Sequence, residues 1–380
     1  MNVMINQPLN DTLCDERLAF AELARDLANK KLLEGIEEND RYPFGPLFAE
    51  AIKDAAVVGF YGVNLASEHG GVDMNAGMVA VILEQLSLVD ASLAAVVFTN
   101  AAALEIIRQA SLESDCSPLY AGISSLGTAP LAFQSFSGPG ETDMPQADGG
   151  GRISGKARYL VLGDIADYAV IPAAQAGASG FSWYLVDLND ESIAKSKPIV
   201  SLGLHACPAV DISLRETPCT LIGGPGCGLK YFDAMADGMS LCAAAMSLGV
   251  MKGSFQSALD YTSDRYQGGR QIIDWPQVRM MLANMAIESK TGDALFSRAR
   301  QEMENECQGW GFTARAAAVH IGELAVKSTA DGIQLFGGNG YMKDYPQEKR
   351  FRDARQSQCL LGMAALKKIH YITDYIEENK

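Results

Sequence analysis

The sequence has no CxxC pair and no GxSxG elbow, and its only histidines stand far apart at positions 69, 205, 320 and 370. Its cysteines, Cys14, Cys116, Cys207, Cys219, Cys227, Cys242, Cys307 and Cys359, are scattered. That spacing argues against a disulfide framework or a zinc site and predicts reduced, mostly buried thiols with no metal bound. Without an elbow serine, a nucleophilic triad has no support. Basic charge is scarce too: Lys plus Arg number 31 against 46 Asp plus Glu, a formal net charge of -15. Such a chain repels phosphate backbones and anionic lipid, which excludes nucleic acid as an expected partner. No run approaches the ~20 unbroken apolar residues of a bilayer span, and the N-terminus lacks a basic-then-apolar signal. The expectation is a cytoplasmic protein without a membrane span. Redox or lyase chemistry with a borrowed cofactor stays open.

What is present falls into three regimes. From Asp15 to about Ala110 the pattern is helical. Phe20, Leu23, Ala24 and Leu27 form an i, i+3, i+4, i+7 stripe, and Leu93–Phe98 followed by Ala101–Ile107 reads as a helix buried on most sides. Between about Thr128 and Leu221 the period shortens to β-rich runs at Tyr159–Leu162, Tyr168–Ile171 and Phe181–Val186, punctuated by glycines. From Gly228 helices return. Val278, Met281, Leu282 and Met285 give one apolar face, and Leu366, Ile369, Ile372 and Ile376 another. The spacing predicts helices over 229–266, 276–308, 312–336 and 353–377, with Pro276 in a first turn. The expected fold class is therefore α+β in three domains: N-terminal helices (1–125), a middle antiparallel β domain (126–227) and a C-terminal four-helix bundle (228–380).

The stretch Gln334 to Arg355, QLFGGNGYMKDYPQEKRFRDAR, closely resembles the corresponding segment of the acyl-CoA dehydrogenase flavoproteins. The resemblance runs over nearly the whole chain: Leu65–Gly71 is similar to the loop after that family's early helices, Gly155–Tyr159 to its GKxxW strand, and Arg265–Gly269 to its RxQFG turn. The family fold has the same order of helices, sheet and helices. A glycine run such as Gly337-Gly338-Asn339-Gly340 lets backbone N–H groups approach a ligand, and Arg265 offers a planar cation suited to a pyrophosphate. The implied cofactor is FAD.

In the family each FAD lies between two subunits, so the resemblance is scored in two halves. The half donated to a neighbour is largely kept as Arg265, Gln334, Gly337 and Gly338, although Gly268 stands where the family has phenylalanine. The half that receives the flavin ring is altered. Phe136 replaces the threonine of TEPxxGSD in Phe136–Asp143, Tyr159 replaces the strand tryptophan, and Val161 the following hydroxyl. The catalytic base is missing from both of the family's locations, which fall on Leu361 and Met239. A lost general base typically costs on the order of 10² to 10⁴ in rate. Asp237 matches the aspartate that contacts pantetheine, and Thr142 falls in the other substrate-binding motif, but the arginine expected three residues after Asp237 is Ser240. Cys242 and Cys359 flank the base positions, yet thiols in apolar company make poor bases. Asp353, in the RDAR motif, is expected to fix the last helix through an ion pair.

The resemblance thus implies a subunit that completes a partner's site. The leading expectation is the non-catalytic half of a heteromeric FAD-dependent acyl-CoA dehydrogenase, an α₂β₂ heterotetramer with a paralogous, glutamate-bearing chain. Acyl-CoA would be the substrate and an electron-transferring flavoprotein the acceptor. A flavin-dependent acyl-CoA lyase of the desulfinase type, a homotetrameric dehydrogenase with a relocated base, and a silent protein-binding scaffold are the alternatives.

Overall fold

A computed structural model of the chain describes residues 15–41, 46–138, 140, 143–175 and 180–378. Six helices come first: α1 (Asp15–Lys31), α2 (Ile36–Asn39), α3 (Pro46–Val57), α4 (Ala76–Ser87), α5 (Ala91–Ser111) and α6 (Ser117–Gly122). The side chains of Asn75 and Asp90 cap α4 and α5 by accepting from Gly77 and Ser92 amides at 3.0 and 2.8 Å, satisfying donors that a helix start leaves unpaired. The two apolar runs at 93–98 and 101–107 are one helix, α5, whose Leu93, Phe98, Ile106 and Ile107 are fully buried. In α1 the inward face shifts from the expected stripe: Leu23 is 38% exposed, while Ala21, Ala24, Leu27 and Ala28 are buried.

The middle strands are β1 (Ala132–Phe133), β2 (Gln146–Ala147), β3 (Arg152–Val161), β4 (Tyr168–Gln175), β5 (Phe181–Asp187), β6 (Ile193–Lys195), β7 (Ala209–Pro218) and β8 (Thr220–Ile222). They form one sheet in the order β6-β7-β3-β1-β4-β5-β8, with β2 paired to β3 and β4. Most pairings are antiparallel as expected; β4 runs parallel to β1 and β2, which the strand pattern alone did not announce. A register shift between β3 and β7 falls between Ala157 and Leu160 and holds Tyr159 at φ +52°. Bulges of this kind re-aim a side chain.

Past the sheet come α7 (Gly228–Asp264), a hairpin of β9 (Tyr266–Gln267) and β10 (Arg270–Gln271), α8 (Pro276–Glu304), α9 (Trp310–Phe336), α10 (Gln347–Ser357) and α11 (Ala364–Glu378). Helices α7 and α9 run parallel and pack closely: a Cβ at Gly332 would lie 2.6 Å from the Ser254 hydroxyl, and the Tyr261 ring stacks on Phe336 at 4.0 Å. On α8, Leu282 and Met285 are buried against Phe255 and Phe336, with Val278 and Met281 half-buried beside them.

One expectation fails here. The single helix read over 353–377 is two, because Leu361 and Gly362 adopt φ of +62° and +123° and break the helical path after Ser357. The Leu361 amide donates to the Ser135 carbonyl in the loop after β1 instead of to its own helix, and the Lys367 ammonium donates to the Gln358 and Leu360 carbonyls at 2.8 Å each. The α11 row of Ile369, Ile372 and Ile376 also lies outward, each about half exposed, rather than in the bundle. Helices α5 and α7 are long and apolar enough to cross a membrane, but 89% and 83% of their apolar windows are buried in this fold, as in core helices.

Candidate functional site

Three strands of the chain converge where the loop after β1 meets the break between α10 and α11. Ser135 is held from both sides: its hydroxyl lies 2.9 Å from that of Thr99 on α5, and its carbonyl accepts the Leu361 amide at 2.8 Å. The next residue, Phe136, meets Tyr159 edge to face at 5.8 Å. The Tyr159 amide donates to the Asp211 carboxylate at 2.9 Å and its hydroxyl accepts from the Gln356 side-chain amide at 3.0 Å. Burial pushes the Tyr159 hydroxyl above its ordinary pKa. Val161 pairs with Phe133 across the sheet and is fully buried. Phe136, Tyr159 and Leu361 are therefore brought to one place, with Val161 beneath them. Met239 is buried in α7, and Thr142 lies outside the described residues.

Leu361 also borders a cavity of about 570 Å³. Its walls include Met144, Phe181, Phe232, Val319 and Ser240, and its polar lining adds Asp233, Arg315, Lys367, His370 and Asp374. Asp237 is placed beside it through Arg315, whose guanidinium donates to Asp237 at 2.8 Å and to Asp374 at 2.6 Å. Burial opposes the Arg315 charge, but the two carboxylates raise its pKa overall. Arg315 is the residue that sequence reasoning missed: the guanidinium absent at Ser240 arrives from α9 instead. The only trace in the sequence is an arginine one turn into a helix. Asp233 is pushed above the usual carboxylate range, first by burial and then by Asp374 and Asp237, with Arg315 opposing. Cys242 is fully buried with its thiol pushed far up by desolvation, which keeps it out of base chemistry.

Arg265, Gln334, Gly337 and Gly338 gather at the other end of the bundle, and all four are exposed. With a rise of about 1.5 Å per residue, α7 separates Asp237 from Arg265 by about 40 Å. Tyr261, stacked on Phe336, ties the C-terminal ends of α7 and α9 together, and the Asn339 side-chain amide donates to its hydroxyl at 3.0 Å. The glycines differ in what they need. Gly337 has φ +58°, and a Cβ at Gly340 would sit 2.3 Å from the Ile333 carbonyl oxygen. A Cβ at Gly338 would meet nothing within 4 Å. Packing within the chain therefore does not require a glycine at 338. Gly268 has φ +67° in the β9–β10 turn, and a Cβ there would lie 3.2 Å from the Trp275 ring, which sits under the Arg270 guanidinium. An aromatic face is thus present where the phenylalanine is lost.

Residues 14–114 match the acyl-CoA dehydrogenase N-terminal domain and residues 226–368 match the acyl-CoA dehydrogenase C-terminal domain. The chain belongs to the acyl-CoA dehydrogenase family. It is 25% identical over 372 residues to a probable acyl-CoA dehydrogenase of Mycobacterium tuberculosis, covering 94% of each. To a subunit of the caffeyl-CoA reductase-Etf complex of Acetobacterium woodii it is 26% identical over 360 residues, covering 90% of this chain and 93% of that one. Among solved structures, the FAD complex of PigA superposes with a TM-score of 0.83 at 20% identity, covering 98% and 100%. Family membership places the chain among oxidoreductases with relatives that bind FAD.

Proposed function

We propose that this chain is the non-catalytic subunit of a heteromeric, FAD-dependent acyl-CoA dehydrogenase, assembled as α₂β₂ with a paralogous chain that carries the glutamate. The observation that carries this reading is Leu361: the usual base position is an apolar side chain only 7% exposed, turned onto the cavity and anchored to Ser135. Among the described residues, the carboxylates lining the same cavity are Asp233 and Asp374, on α7 and α11. Bound FAD would supply the hydride acceptor. In this chain the residues suited to it are the exposed Arg265, whose guanidinium fits a pyrophosphate, and Gly338, whose bare backbone admits a close approach. Lying about 40 Å along α7 from the cavity, they suit a flavin that is seated mainly in another subunit. The outward row Ile369, Ile372 and Ile376 on α11 is apolar surface that such an association would bury. By analogy with the Etf-associated relative, electrons would leave to an electron-transferring flavoprotein.

Coexpression with the paralogous chain tests this. Two FAD per four chains are expected, with acyl-CoA oxidation by the complex and none by this chain alone. Stoichiometric FAD and acyl-CoA oxidation in the isolated chain would refute it.

A second reading, a homomeric dehydrogenase with a relocated base, is favoured by one feature: Asp233 lines the cavity with a raised pKa, as a general base operating near neutral pH requires. Asp233→Asn abolishing oxidation by the isolated chain would select it.

A further inference from the structure

The loop between β6 and β7 is tied to the end of α2 by one imidazole. His205 Nδ1 lies 2.9 Å from the Asp40 backbone carbonyl oxygen and 3.1 Å from its carboxylate, and Nε2 lies 2.9 Å from the Ser201 carbonyl oxygen. Carbonyl and carboxylate oxygens only accept, so both ring nitrogens face acceptors and the imidazolium is the form that satisfies them together. The charged or titratable groups around the ring are Asp40, Arg352 of α10 with Glu348, Lys349 and Asp353 behind it, and Tyr159 of β3 across Ser201. On either side of the Ser201 contact the loop is anchored: the Ile199 amide donates to the Ala209 carbonyl at 2.8 Å, and the Leu204 amide to Asp353 at 2.7 Å. Between those anchors Val200 and Leu202 are 75% and 56% exposed, and Arg352 reaches the Leu202 carbonyl only at 3.4 Å. The Ser201 hydroxyl donates to the Gly203 carbonyl at 2.7 Å and is hydrogen-bonded to the Tyr159 hydroxyl, which also accepts from Gln356.

We propose that His205 is a proton-operated clasp on Tyr159, the side chain brought beside Phe136 and Leu361. As the imidazolium it holds the Ser201 carbonyl, and through the Ser201 hydroxyl it steadies the Tyr159 phenol. When pH rises the ring gives one proton to solvent. The Asp40 carboxylate and carbonyl keep the N–H at Nδ1, so Nε2 is the nitrogen left bare. A bare nitrogen and a carbonyl oxygen both present lone pairs, so the Ser201 contact opens and the 200–203 segment moves away from Tyr159. Asp40 raises the His205 pKa against the effect of burial, which puts the opening on the alkaline side of about pH 6.5. Acid does not open the clasp until Asp40 itself is protonated, and although burial works upward on that carboxyl, His205 and Arg352 hold it far below the usual range. The clasp is independent of which chain carries the catalytic glutamate.

The test is NMR of the full chain carrying ¹³C at histidine Cε1 and tyrosine Cζ, with the His205 and Tyr159 signals assigned by their loss in His205→Gln and Tyr159→Phe. The His205 midpoint is expected above about pH 6.5, and the Tyr159 signal shifts with that same midpoint, well below the phenol's own titration. Asp40→Asn lowers the His205 midpoint by about one unit or more, a tenfold loss of proton affinity. Ser201→Ala keeps the backbone carbonyl, so His205 titrates as before, but the coupled shift of Tyr159 disappears; His205→Gln removes that shift as well. Thermal melts by circular dichroism show which variants are folded, and the Ser201→Ala arm decides the matter if Asp40→Asn is not. The proposal is overturned by a His205 midpoint at or below about pH 6.5, or by one unchanged in a folded Asp40→Asn chain. It is equally overturned by a Tyr159 signal that does not follow His205, or by a Tyr159 shift that persists in Ser201→Ala or His205→Gln.

Discussion

The Leu361 amide donates to the Ser135 carbonyl at 2.8 Å, fixing the break between two helices to the loop after the first strand. That bond sets Leu361 one residue from Phe136 in space as well as in consequence: both stand where the family resemblance puts a reactive or flavin-contacting side chain. Leu361 holds φ +62°, an uncommon conformation for a branched residue, so the surroundings dictate its backbone and not the reverse.

Installing the carboxylate alone should not restore catalysis. Leu361→Glu places an ionisable group in a position 7% exposed, so its folded pKa rises above the unfolded value. The penalty, about 2 kcal/mol, is fully present above the raised folded pKa and vanishes below about pH 4.3. Urea midpoints at pH 4 and pH 8 measure it. Acyl-CoA oxidation by the variant chain alone stays at background, because Phe136, Tyr159 and Val161 are unchanged; appreciable turnover would argue for the homomeric reading.

The two glycines of the 337–340 loop should separate fold from cofactor. Gly338→Ala meets no atom and leaves the thermal midpoint of the chain unchanged, whereas Gly340→Ala drives a methyl into the Ile333 carbonyl and lowers it by several degrees, about 1–3 kcal/mol. In the heteromer, Gly338→Ala and Arg265→Ala weaken FAD retention, the arginine by about ten- to a hundredfold for a charge-assisted contact. Flavin absorbance after gel filtration reads both.

A buried ion triad ties α10 to the start of α5, whereas Asp353 was expected to fix the last helix, which the structure makes α11. The Lys349 ammonium donates to Asp90 at 2.8 Å and to Asp353 at 2.6 Å, and Asp353 also accepts from the Leu204 amide at 2.7 Å. Burial raises the Asp353 pKa while Lys349 opposes it. Lys349→Met removes the hydrogen-bonded cation from two buried carboxylates, leaving only the nearby Arg350 charge, so a loss of about 3–5 kcal/mol in chemical denaturation is expected, with Lys349→Arg losing less.

Stability should also depend on pH through His205. Its bond to Asp40 raises its pKa against the effect of burial, so its contribution is complete below about pH 6.5 and declines as pH rises through the folded value. For Asp40, burial works upward, but His205 and Arg352 hold it far below the usual carboxylate range. Its contribution is complete above about pH 3.9 and falls only in stronger acid. His205→Gln should remove the decline on the alkaline side while leaving the acid limb; an identical profile would show that the pair contributes nothing.

Periodicity was enough to read the order of helices, sheet and helices, whereas Arg265, Gln334, the glycine loop, Leu361 and Phe136 were marked by the resemblance to the family's motifs. Those signals are local: a 3.6-residue stripe, a two-residue alternation, a glycine run. What the linear pattern did not contain was anything set by a distant partner. Gly362 is the local mark of the break in the last helix, but the left-handed turn at Leu361 is held by a hydrogen bond to Ser135 more than two hundred residues away. Likewise Ser240 looks like a lost arginine until α9 is laid parallel to α7 and Arg315 reaches Asp237. The apolar row of α11 was legible, but the side it faces was not. The sequence determined which residues are present and which elements they form; the tertiary structure decided which of them meet, because a helix fixes its faces relative to one another but only packing fixes where those faces point.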